Sequence, residues 1–135
     1  MARYIGIDLG SRRIGLAICD AKGTVATPYM TLQRTSDEQD AANIAELALG
    51  EGVKTVVLGM PYSLDGTKGD AAIVAEDFAA SLRERGLRVR FIDERLTTVE
   101  ATKSLRRGGV KGRKQRLVVD QTAAAVILQT FLDQK

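Results

Sequence analysis

A chain of 135 residues, 44% hydrophobic and 27% charged, is long enough to close one core and ordinary in composition for a globular protein. It holds no histidine and a single cysteine, Cys19. That excludes Ser-His-Asp and Cys-His catalysis, His-ligated zinc and an internal disulfide framework, and leaves carboxylates, hydroxyls, Lys/Arg and metals that prefer oxygen. Net charge is +3, no apolar run approaches the roughly 18 residues of a membrane span, and no signal-peptide pattern opens the chain. The expectation is one cytoplasmic domain over residues 1–135 with no membrane partner.

Taken in chain order, residues 3–9 (RYIGIDL) alternate Ile5, Ile7 and Leu9 with Gly6 and Asp8, the period of a strand. Residues 13–19 read as a second strand, and Asp20–Gly23 as a hairpin turn into a third over 24–27, which Pro28 is expected to end. Overlapping capping boxes in Thr35-Ser36-Asp37-Glu38-Gln39 start a helix with Ala41, Ile44, Ala45 and Ala48 inward and Gly50 or Gly52 as its stop. TVVLG (55–59) is a continuously apolar strand of the kind covered on both faces. A helix over 70–85 follows, with Ala71, Ala75, Phe78 and Leu82 inward and Gly86 after its end. RVRFI (88–92) is a fifth strand, Thr97–Glu100 a further capping box, and 116–133 a last helix. The order β-β-β-α-β-α-β-α-α predicts a mixed sheet with helices on both faces.

Charge is unevenly placed. Residues 103–116 hold seven basic side chains (Lys103, Arg106, Arg107, Lys111, Arg113, Lys114, Arg116) and no acid, while the rest of the chain carries 13 basic and 17 acidic groups. An acidic body with one basic segment points to a polyanion contact, although a solvated loop has the same composition.

Three acids stand at the edges of apolar elements. Asp8 lies between Gly6 and Gly10, small neighbours that leave room for a metal or a phosphate; a turn acid is the plainer reading. Asp120 shares a helical stripe with Ala124, Ile127 and Phe131, so it faces the sheet, where an acid must be paired, protonated or coordinating. The alternative is a first-turn acid facing the helix dipole. Glu94 follows the fifth strand at the carboxyl rim where open α/β sheets bind ligands, with Arg95 available as an ion-pair partner for it or Asp93. Three converging carboxylates would repel unless a cation neutralised them, which is the signature of a Mg²⁺ or Mn²⁺ site for phosphoryl chemistry. The loop 59–66 lies on the same rim, and its Tyr62 is placed to stack on a base.

GIDLGSRRIGLA (6–17), GMPYSLDG (59–66), DERLTT (93–98) and VDQTAAAVILQTFLD (119–133), in this order and at this length, resemble the YqgF family of pre-16S rRNA nucleases. These are also called Holliday-junction-resolvase-like proteins, within the RNase H-like superfamily. The resemblance implies an RNase H-like α/β fold with a five-stranded mixed sheet in order 3-2-1-4-5 and strand two antiparallel. It places Asp8, Glu94 and Asp120 on the family's acidic triad as catalytic and metal-holding residues for one or two Mg²⁺ or Mn²⁺ ions, with Asp93 or Asp65 as alternatives to Glu94. Leu117 stands where many resolvases carry a further acid. The implied activity is phosphodiester hydrolysis in maturation of pre-16S rRNA, with Arg12, Arg13, Tyr62, Arg95, Arg106, Arg107, Lys111, Arg113, Lys114 and Arg116 as the nucleic-acid contacts. The partner is a structured RNA precursor or branched DNA, and the protein a monomer or a homodimer. Three other readings stay open: a Holliday junction resolvase, a non-catalytic nucleic-acid-binding regulator, and an actin-like or sugar-kinase ATPase, which shares the DxG strand–hairpin start but needs a second domain.

Overall fold

In a computed structural model describing residues 3–63, 65–97 and 113–134, the apolar strands assemble into one five-stranded sheet in the order β3-β2-β1-β4-β5. The strands are β1 (Tyr4–Leu9), β2 (Arg13–Cys19), β3 (Ala26–Gln33), β4 (Thr55–Met60) and β5 (Arg88–Asp93). β2 runs antiparallel to both β1 and β3, whereas β1, β4 and β5 are parallel. Helices α1 (Asp37–Gly50) and α2 (Asp70–Glu84) cover one face and α3 (Arg113–Gln134) covers the other. The expected strand order and two-faced layering are therefore both present. Among the described residues, no helix is long and apolar enough to cross a membrane.

Alternation sets the two cores. Ile5, Ile7, Ile14, Leu16, Val56 and Leu58 point to the α1/α2 side and pack on Ile44, Ala48, Phe78 and Leu82. The residues between them (Gly6, Asp8, Gly15, Ala17, Val57, Gly59) face α3, whose Ala123, Ala124, Ile127 and Leu128 are buried against them. The α3 side of the sheet centre is thus built of small residues, and the helix lies very close to it. A Cβ on Gly6 would sit 2.7 Å from Leu128 Cβ and 2.8 Å from the Ala124 carbonyl.

Several expected boundaries move for identifiable reasons. β3 begins at Ala26 rather than Thr24 because the Asp20 carboxylate accepts the Thr24 and Val25 amides at 2.8 and 3.2 Å, holding them in the turn. Pro28 does not end the strand, which runs on to Gln33. β3 is the outer strand of the sheet, where a missing N–H is tolerated, and a bulge lets Ala17 pair with Pro28 while Leu16 pairs with Met30. On α2 the buried stripe runs through Ala72, Ala75, Phe78, Ala79 and Leu82, and Ala71 faces solvent. α1 starts as its capping box predicts, the Ser36 hydroxyl accepting the Gln39 amide. The chain then turns at Gly52, whose φ of 70° suits glycine. The last helix starts at Arg113, three residues before its expected start. The helix expected from Thr97 lies almost wholly outside the described residues; before it, Glu94–Leu96 form a short 3-10 turn.

Candidate active site

Asp8 is the penultimate residue of the central strand, on the face that α3 covers. Its antiparallel neighbour on β2 is Gly15. On the other side β1 pairs with β4 up to Ile7 opposite Leu58, so the next position along sets Asp8 beside Gly59. Both glycines are occupied from above. A Cβ on Gly15 would overlap the Asp120 carbonyl group, and one on Gly59 would lie 3.1 Å from Glu94 Cγ and 3.2 Å from its carboxyl carbon. Asp120 and Glu94 therefore stand over the two strand positions flanking Asp8, each about 5 Å to the side. All three acids are buried, with relative exposures of 4%, 7% and 3% for Asp8, Glu94 and Asp120.

Each acid reaches this place through its own local structure. Asp8 is carried by strand alternation. Asp120 is carried by the α3 stripe it shares with Ala124, Ile127 and Phe131, all of them buried. Glu94 is turned back over β4 by the 3-10 turn, which Asp93 caps by accepting the Arg95 amide. The two alternatives for the middle acid are engaged elsewhere. Asp93 accepts two contacts of 3.0 Å from Arg95 Nε and one of 2.6 Å from Nη2, and the Arg95 guanidinium holds its carboxyl below the usual carboxylate range. Asp65 is exposed in a turn, where the Thr67 hydroxyl and amide lower its pKa. Of the three, Glu94 alone lies against Gly59.

The donor set, three carboxylates at one end of the sheet, has the hard-oxygen chemistry of Mg²⁺ or Mn²⁺ ligands. The Gly15 and Gly59 floor lets them approach Asp8, so the residues present fit such an ion. They are not drawn into a ready-made ligand cluster: among the described residues no three acidic or cysteine side chains are grouped as ion ligands. Asp120 is instead held by an arginine, with Arg13 Nε donating to its Oδ2 at 2.6 Å.

The basic side chains expected to contact nucleic acid divide into three groups. Arg12 is exposed at the hairpin beside the acids and, among the described residues, makes no ion pair. Arg13 and Arg95 are ion-paired, with Asp120 and Asp93, and the Arg95 guanidinium also lies over the Tyr62 ring at 5.5 Å. Arg106, Arg107 and Lys111 lie outside the described residues, and Arg113, Lys114 and Arg116 fall in the first turns of α3. Sequence reasoning missed Gly15, Gly59 and the Arg13–Asp120 pair. The two glycines carried a signal, since glycine inside an apolar strand marks a close approach; the ion pair carried none. A cleft of about 510 Å³, lined by Tyr29, Leu32, Leu47 and Glu51, lies between β3 and α1, away from the acids. A cleft of about 190 Å³ at the ends of β1 and β4 opens on the α2 side, below the usual 300–1,000 Å³ of small-molecule sites.

Comparison with known proteins gives the same picture from outside. The family model RuvX, described as a Holliday junction resolvase, matches residues 2–134. A Mycobacterium leprae protein named "Putative pre-16S rRNA nuclease" is 46% identical over 134 residues, covering 98% of this chain and 73% of that one. A Picosynechococcus protein of the same name is 42% identical over 130 residues, covering 96% and 90%. Among solved structures, Thermus thermophilus RuvC in complex with a Holliday junction substrate superposes with a TM-score of 0.59 at 11% identity, covering 99% of this chain and 95% of that one. The Fowlpox virus resolvase bound to junction DNA gives 0.56 at 8% identity, covering 98% and 97%. At such identities these two likenesses establish the fold alone.

Proposed function

Since the chain belongs to the RuvX family of nucleases, we propose that it is a divalent-metal-dependent endonuclease in which Asp8, Glu94 and Asp120 are the catalytic, metal-holding acids, and that its substrate is the precursor of 16S ribosomal RNA. The observation that carries this reading is the placement of two buried acids over the glycines on either side of a third. Three negative charges in so little solvent are costly without cations, and a nuclease site is where such a cost serves a purpose. When bound, the ion supplies a water of lowered pKa and neutralises charge on the phosphate.

The chain's own residues do the rest. Asp8, fixed on the central strand, sets the position of the reacting phosphodiester against the sheet end. Glu94 comes from a turn lying over β4 and Asp120 from a helix packed on β1 and β2, so the three carboxylates keep one geometry, as positioning catalysis requires. The acids stand at one rim of the sheet, where an extended polymer can lie across them. Arg12 stands on that rim as an exposed cation for the backbone, and Arg113, Lys114 and Arg116 lie on α3, the helix that carries Asp120. Binding that rests on such contacts falls steeply with salt.

The substrate follows from the names of relatives 42–46% identical to this chain. The family description favours a second reading, cleavage of four-way DNA junctions, and one experiment separates them. Purified protein is incubated with a precursor-rRNA fragment and with a four-way junction in Mg²⁺, Mn²⁺ or EDTA, alongside Asp8→Asn and Asp120→Asn. Loss of an outer partner alone lowers metal affinity or activity about 10–100-fold, so loss of either acid should cost at least that much. RNA cleavage that needs the metal and both acids supports the proposal. Paired nicks in the junction alone would support the second reading, and binding without cleavage would overturn both.

A further inference from the structure

Arg13 opens β2 at the turn where arginines would be expected to reach toward a polyanion, yet it points inward. Its Nε–H donates to Asp120 Oδ2 at 2.6 Å; its side chain is 19% exposed and that of Asp120 is 4% exposed. The two residues are 107 positions apart, so the contact is a product of the tertiary fold rather than of a local turn. Arg12, its neighbour, has the same chemistry and stays in solvent. The chain therefore places a monovalent cation of its own on Asp120.

A divalent ion held by Asp120 would compete for the carboxylate that Arg13 now engages, and a guanidinium within a few ångströms of that ion is repelled by it. The same guanidinium is planar, permanently charged and suited to a phosphate. Resting on the reading of Asp120 as a metal-holding acid, we propose that Arg13 is an exchangeable internal counter-cation. It holds Asp120 while the site has no ion, gives the carboxylate up when Mg²⁺ or Mn²⁺ binds, and then turns onto a phosphate of the bound nucleic acid. Metal and nucleic acid thereby bind with positive coupling, because each stabilises the state in which Arg13 and Asp120 have parted.

A permanent strut that merely fixes the Asp120 carboxylate predicts the opposite sign. Removing a competitor tightens metal binding, whereas removing a strut weakens it. Calorimetric Mn²⁺ titration of nucleic-acid-free protein, for the wild type, Arg13→Gln, Asp120→Asn and the double variant, reads that sign directly. Arg13→Gln is expected to bind Mn²⁺ about tenfold more tightly, a change of 1.4 kcal/mol. On the Asp120→Asn background the same substitution should change nothing, because no competition remains. Unchanged or weaker binding by a folded Arg13→Gln overturns the proposal.

A second measurement needs no variant to fold. The ¹⁵N–¹H resonance of Arg13 Nε in the wild type should move toward the position of a solvent-exposed arginine as Mg²⁺ saturates the protein. A resonance that stays in place at saturation overturns the proposal as well. Failure of the wild type to bind Mn²⁺ at all would remove the metal reading and this exchange together. Binding that Arg13→Gln fails to tighten would remove the exchange alone.

Discussion

Gly15→Ala probes the feature on which the site depends, the contact between α3 and bare sheet. The added methyl would overlap the carbonyl carbon and oxygen of Asp120, and it would lie 3.2 Å from the Asp120 Cβ. These atoms are backbone or bonded directly to it, so no rotamer change relieves the clash. Ordinary contact begins near 3.4 Å, so the start of α3 must withdraw by about 1 Å or more. Overpacking of this kind costs about 1–3 kcal/mol, and a displaced helix belongs at the upper end. Alanine restores roughly 0.5–1 kcal/mol relative to glycine in a strand, which leaves about 2 kcal/mol lost. For a chain of this size that is a fall of about 8 °C in Tm. Asp120 retreats with the helix, so Mn²⁺ affinity should fall in the same variant. Gly50→Ala is the matched control, since a Cβ at the end of α1 meets nothing within 4 Å. It should raise stability by about 0.5–1 kcal/mol and leave Mn²⁺ binding unchanged. Thermal melts followed by circular dichroism, paired with Mn²⁺ titrations, measure both quantities. A Gly15→Ala protein that melts within about 2 °C of wild type and binds Mn²⁺ normally would refute the close-packing argument.

Three further outcomes are expected. Gly59→Ala puts a methyl 2.7 Å from Ile127 Cδ1 and 3.1 Å from Glu94 Cγ; the isoleucine tip can swing aside but Glu94 is displaced, so cleavage should drop about tenfold with little loss of Tm, and unimpaired turnover would count against Glu94 as a working acid. Asp40 is fully buried between Arg34, at 2.9 Å, and the Thr35 hydroxyl, at 2.6 Å; Asp40→Ala leaves Arg34 its pair with Asp37 but strips the Thr35 amide and hydroxyl of their acceptor, and should cost about 1–3 kcal/mol in urea unfolding, with a loss under about 0.5 kcal/mol contradicting this. The Asp20 carboxyl is held below its ordinary value of 3.8 first by the Thr24 amide, then by the Val25 amide and the Thr24 hydroxyl. Its stabilising effect is therefore complete above pH 3.8 and is lost as pH falls through the lowered folded value, so the stability gap between wild type and Asp20→Ala should narrow in acid. A gap that widens there would reverse the sign of the linkage.

What the sequence disclosed follows from the range of the forces involved. Alternation placed β1 and a continuously apolar run placed β4, because a buried strand must declare itself residue by residue. The capping box placed Ser36 because that hydrogen bond closes within three residues. Strand order came through resemblance to known nucleases, since periodicity does not say which strands pair. Asp8 and Asp120 were recognisable as acids on apolar faces, and both are buried. Pro28 misled because an outer strand tolerates what a central one does not, and position in the sheet is a long-range fact. Ala71 misled because an alanine-rich helix gives little contrast between its faces, and the stripe that Ala75, Phe78 and Leu82 share begins at Ala72. Asp40 drew no attention in the sequence, and only the fold shows Arg34 pairing with it while the guanidinium lies 5.2 Å from the Phe78 ring. The partnership of Arg13 with Asp120 had no local trace at all.

The docking of α3 has a temporal consequence. Asp8 lies on β1 and Asp120 on α3, more than a hundred residues later. Until that helix has left the ribosome and settled on the glycine floor, Asp8 stands on an uncovered sheet face with no Asp120 beside it. On the proposed reading of the three acids, cleaving power is in this way tied to a long-range contact of folding. A half-folded chain would on that reading be chemically silent toward the nucleic acid around it.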